Sequence, residues 1–364
     1  MIRDALHGRA RALIAKLADG SRDDGARDAL LSDMRAFQQQ HVEPYGRLVA
    51  QHAESDAPAL PTDVFRFARV AAHDADLDVV TFRSSGTTSG QRGAHHLRDL
   101  SLYDAAAEAA ARHALFPDGR RMPLLILAPS PAEQPDSSLA YMLGRFVQWF
   151  GDGDSSHLWH GNSLRVGAMR DALNLAQARG RPVAILGTSF AFVHADEQFR
   201  DDGDRRFALP AGSRIMQTGG FKGRSRTLQA GEMLDMLSNR YGLAAAMIIQ
   251  EYGMTELCSQ MYETTLRDAL ADAPIGPRRL WVPGWVRAVP VDGTTLEPAP
   301  TGDDGEARGL LRVDDVANLD SACALQTSDV ATLDEAGLRV DGRAQSAQLR
   351  GCSLSVEEAL GWQP

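Results

Sequence analysis

The chain has 364 residues, is 44% hydrophobic and carries a formal net charge of -10 at pH 7. That length and apolar share bury a large core, as one big domain or two. The acidic balance excludes a nucleic-acid partner, which needs clustered Lys and Arg, and no apolar run approaches the roughly 18–20 residues of a membrane span.

Residues 1–75 read as an N-terminal helical region, Ala-rich and charged, with Leu6, Leu13 and Leu17, then Leu30, Met34 and Phe37, at helical spacing. Met1 to Lys16 lacks the apolar core of a signal peptide. Val79–Phe82 suits a strand. Asp99 is a candidate N-cap for a helix over 100–115, and Pro123–Ala128 is a short apolar strand before a helix over 139–150. A helix over 166–178 precedes a strand over 182–187; a segment over 213–217 leads to Gly219-Gly220, and a helix over 231–241 precedes a strand over 244–250. Short strands alternating with helices predict an α/β fold with a mostly parallel, buried sheet. From about 276 the texture changes to Pro- and Gly-punctuated strands, such as 285–291 and 309–313, which predicts an antiparallel β subdomain. Three cysteines, Cys258, Cys323 and Cys352, make no disulfide framework, so a reducing cytoplasmic location is expected.

Ser84-Ser85-Gly86-Thr87-Thr88-Ser89-Gly90 follows the first predicted strand with two glycines and five hydroxyl side chains. Glycines let backbone N–H groups turn inward and hydroxyls add donors, so the loop can wrap a polyphosphate; an ordinary polar turn is the bland alternative. Gln250-Glu251-Tyr252-Gly253-Met254-Thr255-Glu256 offers an aromatic face, a hydroxyl and a carboxylate able to hold Mg²⁺, or merely a polar strand-to-loop junction. Gly86/Gly90, Gly187, Gly219-Gly220 and Gly253 all follow predicted strands, where ligands of α/β sheets collect.

Together these segments resemble the adenylate-forming superfamily of acyl-activating enzymes. Ser84-Ser85-Gly86-Thr87-Thr88 is similar to its phosphate loop and Tyr252-Gly253-Met254-Thr255-Glu256 to its Tyr-Gly-x-Thr-Glu motif. Thr327-Ser328-Asp329 resembles the Thr-Gly-Asp motif, and Asp341-Gly342-Arg343 the arginine-bearing hinge. Phe82–Thr88, Glu251–Leu257 and Arg350-Gly351-Cys352-Ser353-Leu354 most resemble the acyl-protein synthetase family, the fatty-acid-activating type of luminescence operons. The resemblance implies ATP and Mg²⁺ as cofactors, Asp329 on the ribose hydroxyls, Glu256 on the metal, and Thr255 beside it in the catalytic set. It implies the large domain of that superfamily, an adenylate-forming core over 76–340, with the small C-terminal domain truncated to a hinge-like tail over 341–364. Nucleotide binding is expected at Ser84, Ser85, Gly86, Thr87, Thr88, Gly90, Gly219, Gly220, Tyr252, Gly253, Asp329 and Arg343.

Two departures stand out. The lysine that ends the usual phosphate loop is replaced by Gln91-Arg92-Gly93-Ala94-His95-His96, so Arg92 or a histidine must neutralise the phosphates if anything does. No lysine follows Lys222, so the domain swing that brings a catalytic lysine in ordinary acyl-CoA ligases is not expected. Cys352 precedes the helix-like stretch 356–360, where a helix N-terminus and Arg350 lower a thiol pKa. It is either the acyl carrier that the resemblance implies or a small buried apolar residue. Cys258 and Cys323 read as core, and His95, His96, His157 and His160 as solvated loop histidines. An acid pocket is expected near Gly187–Phe190, walled by Leu139, Met142 and Phe146.

The leading functional expectation is ATP-dependent activation of a fatty or related acid, then transfer to a cysteine of this chain or of an acceptor such as an acyl reductase or carrier protein. A ligase for aryl or short acids, delivering to CoA or a carrier protein, is one alternative. A catalytically inactive nucleotide- or acyl-binding scaffold is the other.

Overall fold

The computed structural model describes residues 1–52, 58–84, 91–219, 228–344 and 350–361, and of 350–353 the backbone alone. Ser85, Gly86, Thr87, Thr88, Gly90 and Gly220 lie outside the described residues, as does the side chain of Cys352. The chain divides into two compact units, one of 1–110, 254–261 and 279–364, the other of 111–253 and 262–278. Among the described residues no helix is long and apolar enough to cross a membrane.

The second unit is built on parallel strands in the order 156–157, 124–127, 184–188, 214–218 and 248–252, with 261–263 next. Leu124, Leu125, Ile126 and Leu127 are all buried, as a parallel strand covered on both faces requires. Helices Ser138–Phe150, Val166–Arg179, Ser189–Asp201 and Ala230–Tyr241 supply the cover. Phe192, Phe199, Phe207 and Tyr241 pack edge-on and stacked in its core. Gly187 has a packing reason: a Cβ there would lie 2.6 Å from Leu127 Cβ, so only glycine lets these strands pair at normal spacing. Gly187, Gly219 at φ +73° and Gly253 fall at the carboxyl ends of three neighbouring strands. The alternation read from the sequence is present; the helix Ser189–Asp201, capped by Thr188, is an addition to it.

The first unit carries the antiparallel sheet. Val286–Val291, Ala307–Asp315, Ala324–Asp334 and Gly337–Arg343 pair in sequence order, and Leu60–Pro61 joins Ala324–Asp334 in parallel. Helices Ile2–Lys16, Asp24–His41 and Glu43–Gln51 account for the N-terminal apolar spacing, and Asp23 caps the second by accepting from Ala26 N–H. Helical character does not continue to residue 75. Pro58 and Pro61 lack the N–H a helix needs, and the chain instead forms the short strand and two single 3-10 turns. Helix Arg350–Leu360 is longer than the sequence suggested and packs on Glu43–Gln51, with Ser355 and Ala359 buried and His52 Nε2 2.7 Å from Glu358.

Candidate active site

In the first unit, strands Val80–Arg83 and Ala94–Leu97 form a hairpin that holds the ends of the Ser/Thr/Gly loop. Ser84 N–H donates to the Gly93 carbonyl at 2.9 Å, and Gly93 N–H donates to Ser84 Oγ at 2.8 Å. Arg92 donates to the carbonyls of Ser84 at 2.6 Å and Arg83 at 3.1 Å, so its guanidinium ties the loop's base.

Glu256 sits directly against this base. A Cβ built on Gly93 would lie 3.1 Å from Glu256 Oε1 and 3.3 Å from Ser84 Oγ. Any larger residue would press on the carboxylate, which explains the glycine here better than a turn does. Ser84 and Glu256, far apart in sequence, are thus brought to one point.

The segment carrying Glu256 is fixed by buried polar residues that sequence reasoning missed. Asn318 Nδ2 donates to the Glu256 carbonyl at 2.8 Å, and its Oδ1 accepts from Cys258 N–H at 2.7 Å. Asp315 accepts from Ser259 N–H at 2.9 Å, Ser259 Oγ at 2.7 Å, Cys258 N–H at 3.2 Å and Ala317 N–H at 2.8 Å. Burial still pushes Asp315 up to about 6, so it is an ionised acceptor at neutral pH. Trp285, fully buried, donates from Nε1 to Ser259 Oγ at 3.1 Å. Only the local Asp-Asp-x-x-Asn spacing hinted at this network.

The histidines need correction. His95 is no solvated loop residue but lies fully buried on a strand. Its Nδ1–H donates to the Thr255 carbonyl at 2.8 Å, and Nε2 accepts from Ser321 Oγ at 2.9 Å. Burial pushes its pKa down to about 4, so the ring is neutral and cannot replace the missing lysine as a charge. Its two hydrogen bonds tie the hairpin of Val80–Arg83 and Ala94–Leu97 to Thr255 and Ser321. His96 is 2.9 Å from Asp78, and burial holds its pKa below the usual value. Cys258 and Cys323 are buried core residues, as expected.

Asp329 stands opposite Arg343 across the antiparallel pair, Oδ1 3.6 Å from Arg343 Nε, with its own N–H donating to Thr327 Oγ1 at 3.1 Å. Cys352 is the third residue of helix Arg350–Leu360. Among the described residues no group of three or more His, Cys, Asp or Glu is placed to hold a metal. A single carboxylate beside a Ser/Thr/Gly-rich loop nevertheless fits Mg²⁺, which takes one or two carboxylates and completes its shell with phosphate and water. Glu256 would hold it there, and the metal would neutralise charge developing on the phosphates.

In the second unit, polar side chains line the carboxyl ends of the parallel strands. Ser189 Oγ donates to the Gly219 carbonyl at 2.9 Å and is also hydrogen-bonded to Gln217. Thr218 donates to Glu251 across directly paired positions, and Tyr252 follows, mostly buried. The Tyr-Gly-x-Thr-Glu motif is also where the chain passes from this unit to the other. Met142 and Phe146 are buried packing residues rather than an open pocket wall. The half-buried Trp159, Phe190 and His194 cluster beyond Thr188 instead, with Phe190 and His194 rings stacked 6.2 Å apart.

Glu251 is fully buried, and burial pushes its pKa from 4.5 to about 7 despite the Thr218 hydrogen bond. A raised folded-state pKa means full stability below pH 4.5 and loss as pH rises through 7. Glu251→Gln keeps an acceptor for Thr218 and removes the titration. Its stability relative to the parent is expected to be higher at pH 8 than at pH 5 by roughly 2–3 kcal/mol in urea unfolding. An equal difference at both pH values would refute the buried, proton-holding carboxylate.

The acyl-protein synthetase (LuxE) family matches residues 164–361, more than half of the chain. The chain belongs to the acyl-protein synthetase family. The matched stretch contains Tyr252–Glu256, Asp329, Arg343 and Cys352. A search of curated proteins finds no match. Among solved structures, McyG A-PCP complexed with phenylalanyl-adenylate aligns with TM-score 0.50 at 16% identity, over 82% of this chain and 44% of that one. An acyl-CoA synthetase of Brucella canis aligns with TM-score 0.48 at 15% identity, over 73% and 45%. This acyl-protein synthetase family member thus shares the fold of adenylate-forming enzymes and spans about half the length of the first structures it matches.

Proposed function

We propose that the protein is an AMP-forming ligase that activates a fatty acid with ATP and transfers the acyl group to a cysteine thiol. A carboxylate is a poor electrophile because its oxygen leaves badly. In the first step a carboxylate oxygen attacks the α-phosphorus of ATP, the bond to the β-bridging oxygen breaks, and pyrophosphate leaves. In the second, a thiolate attacks the carbonyl carbon of the mixed anhydride and AMP leaves, yielding a thioester.

The loop of Ser84, Ser85, Gly86, Thr87, Thr88 and Gly90 donates to the phosphates, as charge builds on the transferring group. Glu256 holds Mg²⁺ with Thr255 beside it. Tyr252 and Gly253 meet the base, Gly219 and Gly220 line the nucleotide, Asp329 accepts from the ribose hydroxyls, and Arg343 orients Asp329. Trp159 and Phe190 offer apolar surface to the acid. The observation that carries this reading is the placement of Glu256 Oε1 within 3.1 Å of where a Gly93 Cβ would stand, beside Ser84 Oγ at the base of the loop, because a loop and a metal-holding carboxylate are of use to ATP only together.

An acid panel scored by pyrophosphate release tests it. Release with long-chain fatty acids is expected; release with aryl or short acids alone would shift the reading to the alternative ligase, and none at all to a scaffold. Asp329→Ala is expected to raise the apparent KM for ATP tenfold or more, since each hydrogen bond to a charged group contributes about 1.5–3 kcal/mol. An unchanged KM would remove Asp329 from the ribose site.

A further inference from the structure

Two recesses of the second unit lie at the amino ends of its strands, opposite the edge that carries Thr188, Gly219 and Tyr252. One, of about 400 Å³, is lined by Arg120, Arg121, Arg179 and Arg181. The other, of about 170 Å³, is largely apolar, walled by Leu125, Ala172, Leu175, Ala176 and Val183, with Asp154 on its rim beside Arg181, and shares Arg179 and Arg181 with the first. Leu175 is 45% exposed at this site, although it belongs to a helix whose Leu173 and Ala176 are buried.

The arginines are unevenly committed. Arg181 pairs with Asp152 and Asp154, and Arg121 donates to the Gln148 and Trp149 carbonyls at 3.2 Å. Arg120 and Arg179 make no ion pair among the described residues. In a chain of net charge -10, four arginines set against the two aspartates that hold Arg181 leave this recess locally positive. Like charges gathered this way repel, and a bound anion relieves that repulsion; the guanidinium fork matches phosphate oxygens in pairs. An apolar cavity of about 150 Å³ accepts a molecule the size of benzene, so the smaller recess holds a short carbon body but not a long chain.

We propose that these joined recesses form a second ligand site for a small anionic amphiphile, an organic phosphate with a short apolar tail. The phosphate lies between Arg120 and Arg179, and the tail enters between Leu175 and Val183. No bond is made or broken, and the adenylation residues are not involved. The site is independent of the proposed reaction.

Calorimetric titration of the full-length protein with hexyl phosphate tests this, with inorganic phosphate as the comparison. The parent is expected to bind hexyl phosphate at least fivefold tighter than inorganic phosphate. The double variant Arg120→Ala/Arg179→Ala is expected to bind it at least tenfold more weakly, and Leu175→Asp likewise. All three proteins should show the same acid-dependent pyrophosphate exchange, which establishes that each is folded and separates this site from the adenylation site. Equal binding by parent and variants overturns the proposal. Equal affinity for hexyl phosphate and inorganic phosphate removes the apolar recess from it. Displacement of hexyl phosphate by a polyglutamate peptide at lower concentration than by butyl phosphate overturns it in favour of an acidic protein surface.

Discussion

Glu256→Gln is expected to abolish acid-dependent ATP–pyrophosphate exchange, with a loss of roughly 10³-fold, while the protein stays folded. The main chain at Glu256 is held by Asn318 and by the Asp315 network around Ser259, none of which involves the carboxylate. Glutamine is nearly isosteric and can lie against Gly93 as the glutamate does. What it cannot supply is a full negative charge for Mg²⁺, and stabilisation of developing phosphate charge amounts to several kcal/mol. The exchange assay reads the loss, and a thermal melt matching the parent's shows that it is chemical. Exchange at the parent rate would take the metal away from Glu256. A raised Mg²⁺ requirement with partial activity would be the signature of a weakened rather than absent site.

Cys352→Ser is expected to separate the two half-reactions. Pyrophosphate release should persist, because Ser84 is held by Gly93, Thr255 by His95, Glu256 by Asn318 and Asp329 by Thr327. The first turn of a helix lowers a thiol pKa through the exposed N–H groups and the macrodipole, and Cys352 occupies such a turn. A serine hydroxyl there stays protonated and is far less nucleophilic. With radiolabelled fatty acid and ATP, the parent should acquire label that hydroxylamine removes, and the serine variant should not. Label on the variant, or none on the parent, would end the case for Cys352 as carrier and leave the adenylate to be delivered to a partner directly.

The fold class was legible because its cause is local. Leu124–Leu127 and Ala184–Gly187 are short apolar runs between helical stretches, and such runs are stable only with both faces covered, which means a parallel sheet under helices. The residues proposed to carry the chemistry stood out for a related reason: Tyr252-Gly253-Met254-Thr255-Glu256 and Thr327-Ser328-Asp329 are contiguous. The helix Ser189–Asp201 was less so, since its buried Phe192 and Phe199 are separated by polar residues that blur the period.

What the tertiary structure alone decided depends on burial and on neighbours remote in the chain. His95 looks like one of several loop histidines until Phe65, Thr255 and Ser321 close around it, and burial then makes it neutral. Asn318 and Asp315 have no role in the sequence reading and gain one only where the main chain at Cys258 and Ser259 arrives to donate to them. Glu251 becomes a proton-holding carboxylate because burial desolvates it and the Thr218 hydrogen bond offsets that only in part. Gly93, without a role of its own in the sequence reading, is a clearance for Glu256 in the fold. Sequence patterns by themselves determined the α/β architecture and the residue types available for adenylate chemistry, because periodicity and contiguous motifs are properties of the chain. Which groups are charged, and which of them touch, was decided by folding, since desolvation and contact exist only once distant segments exclude water from one another.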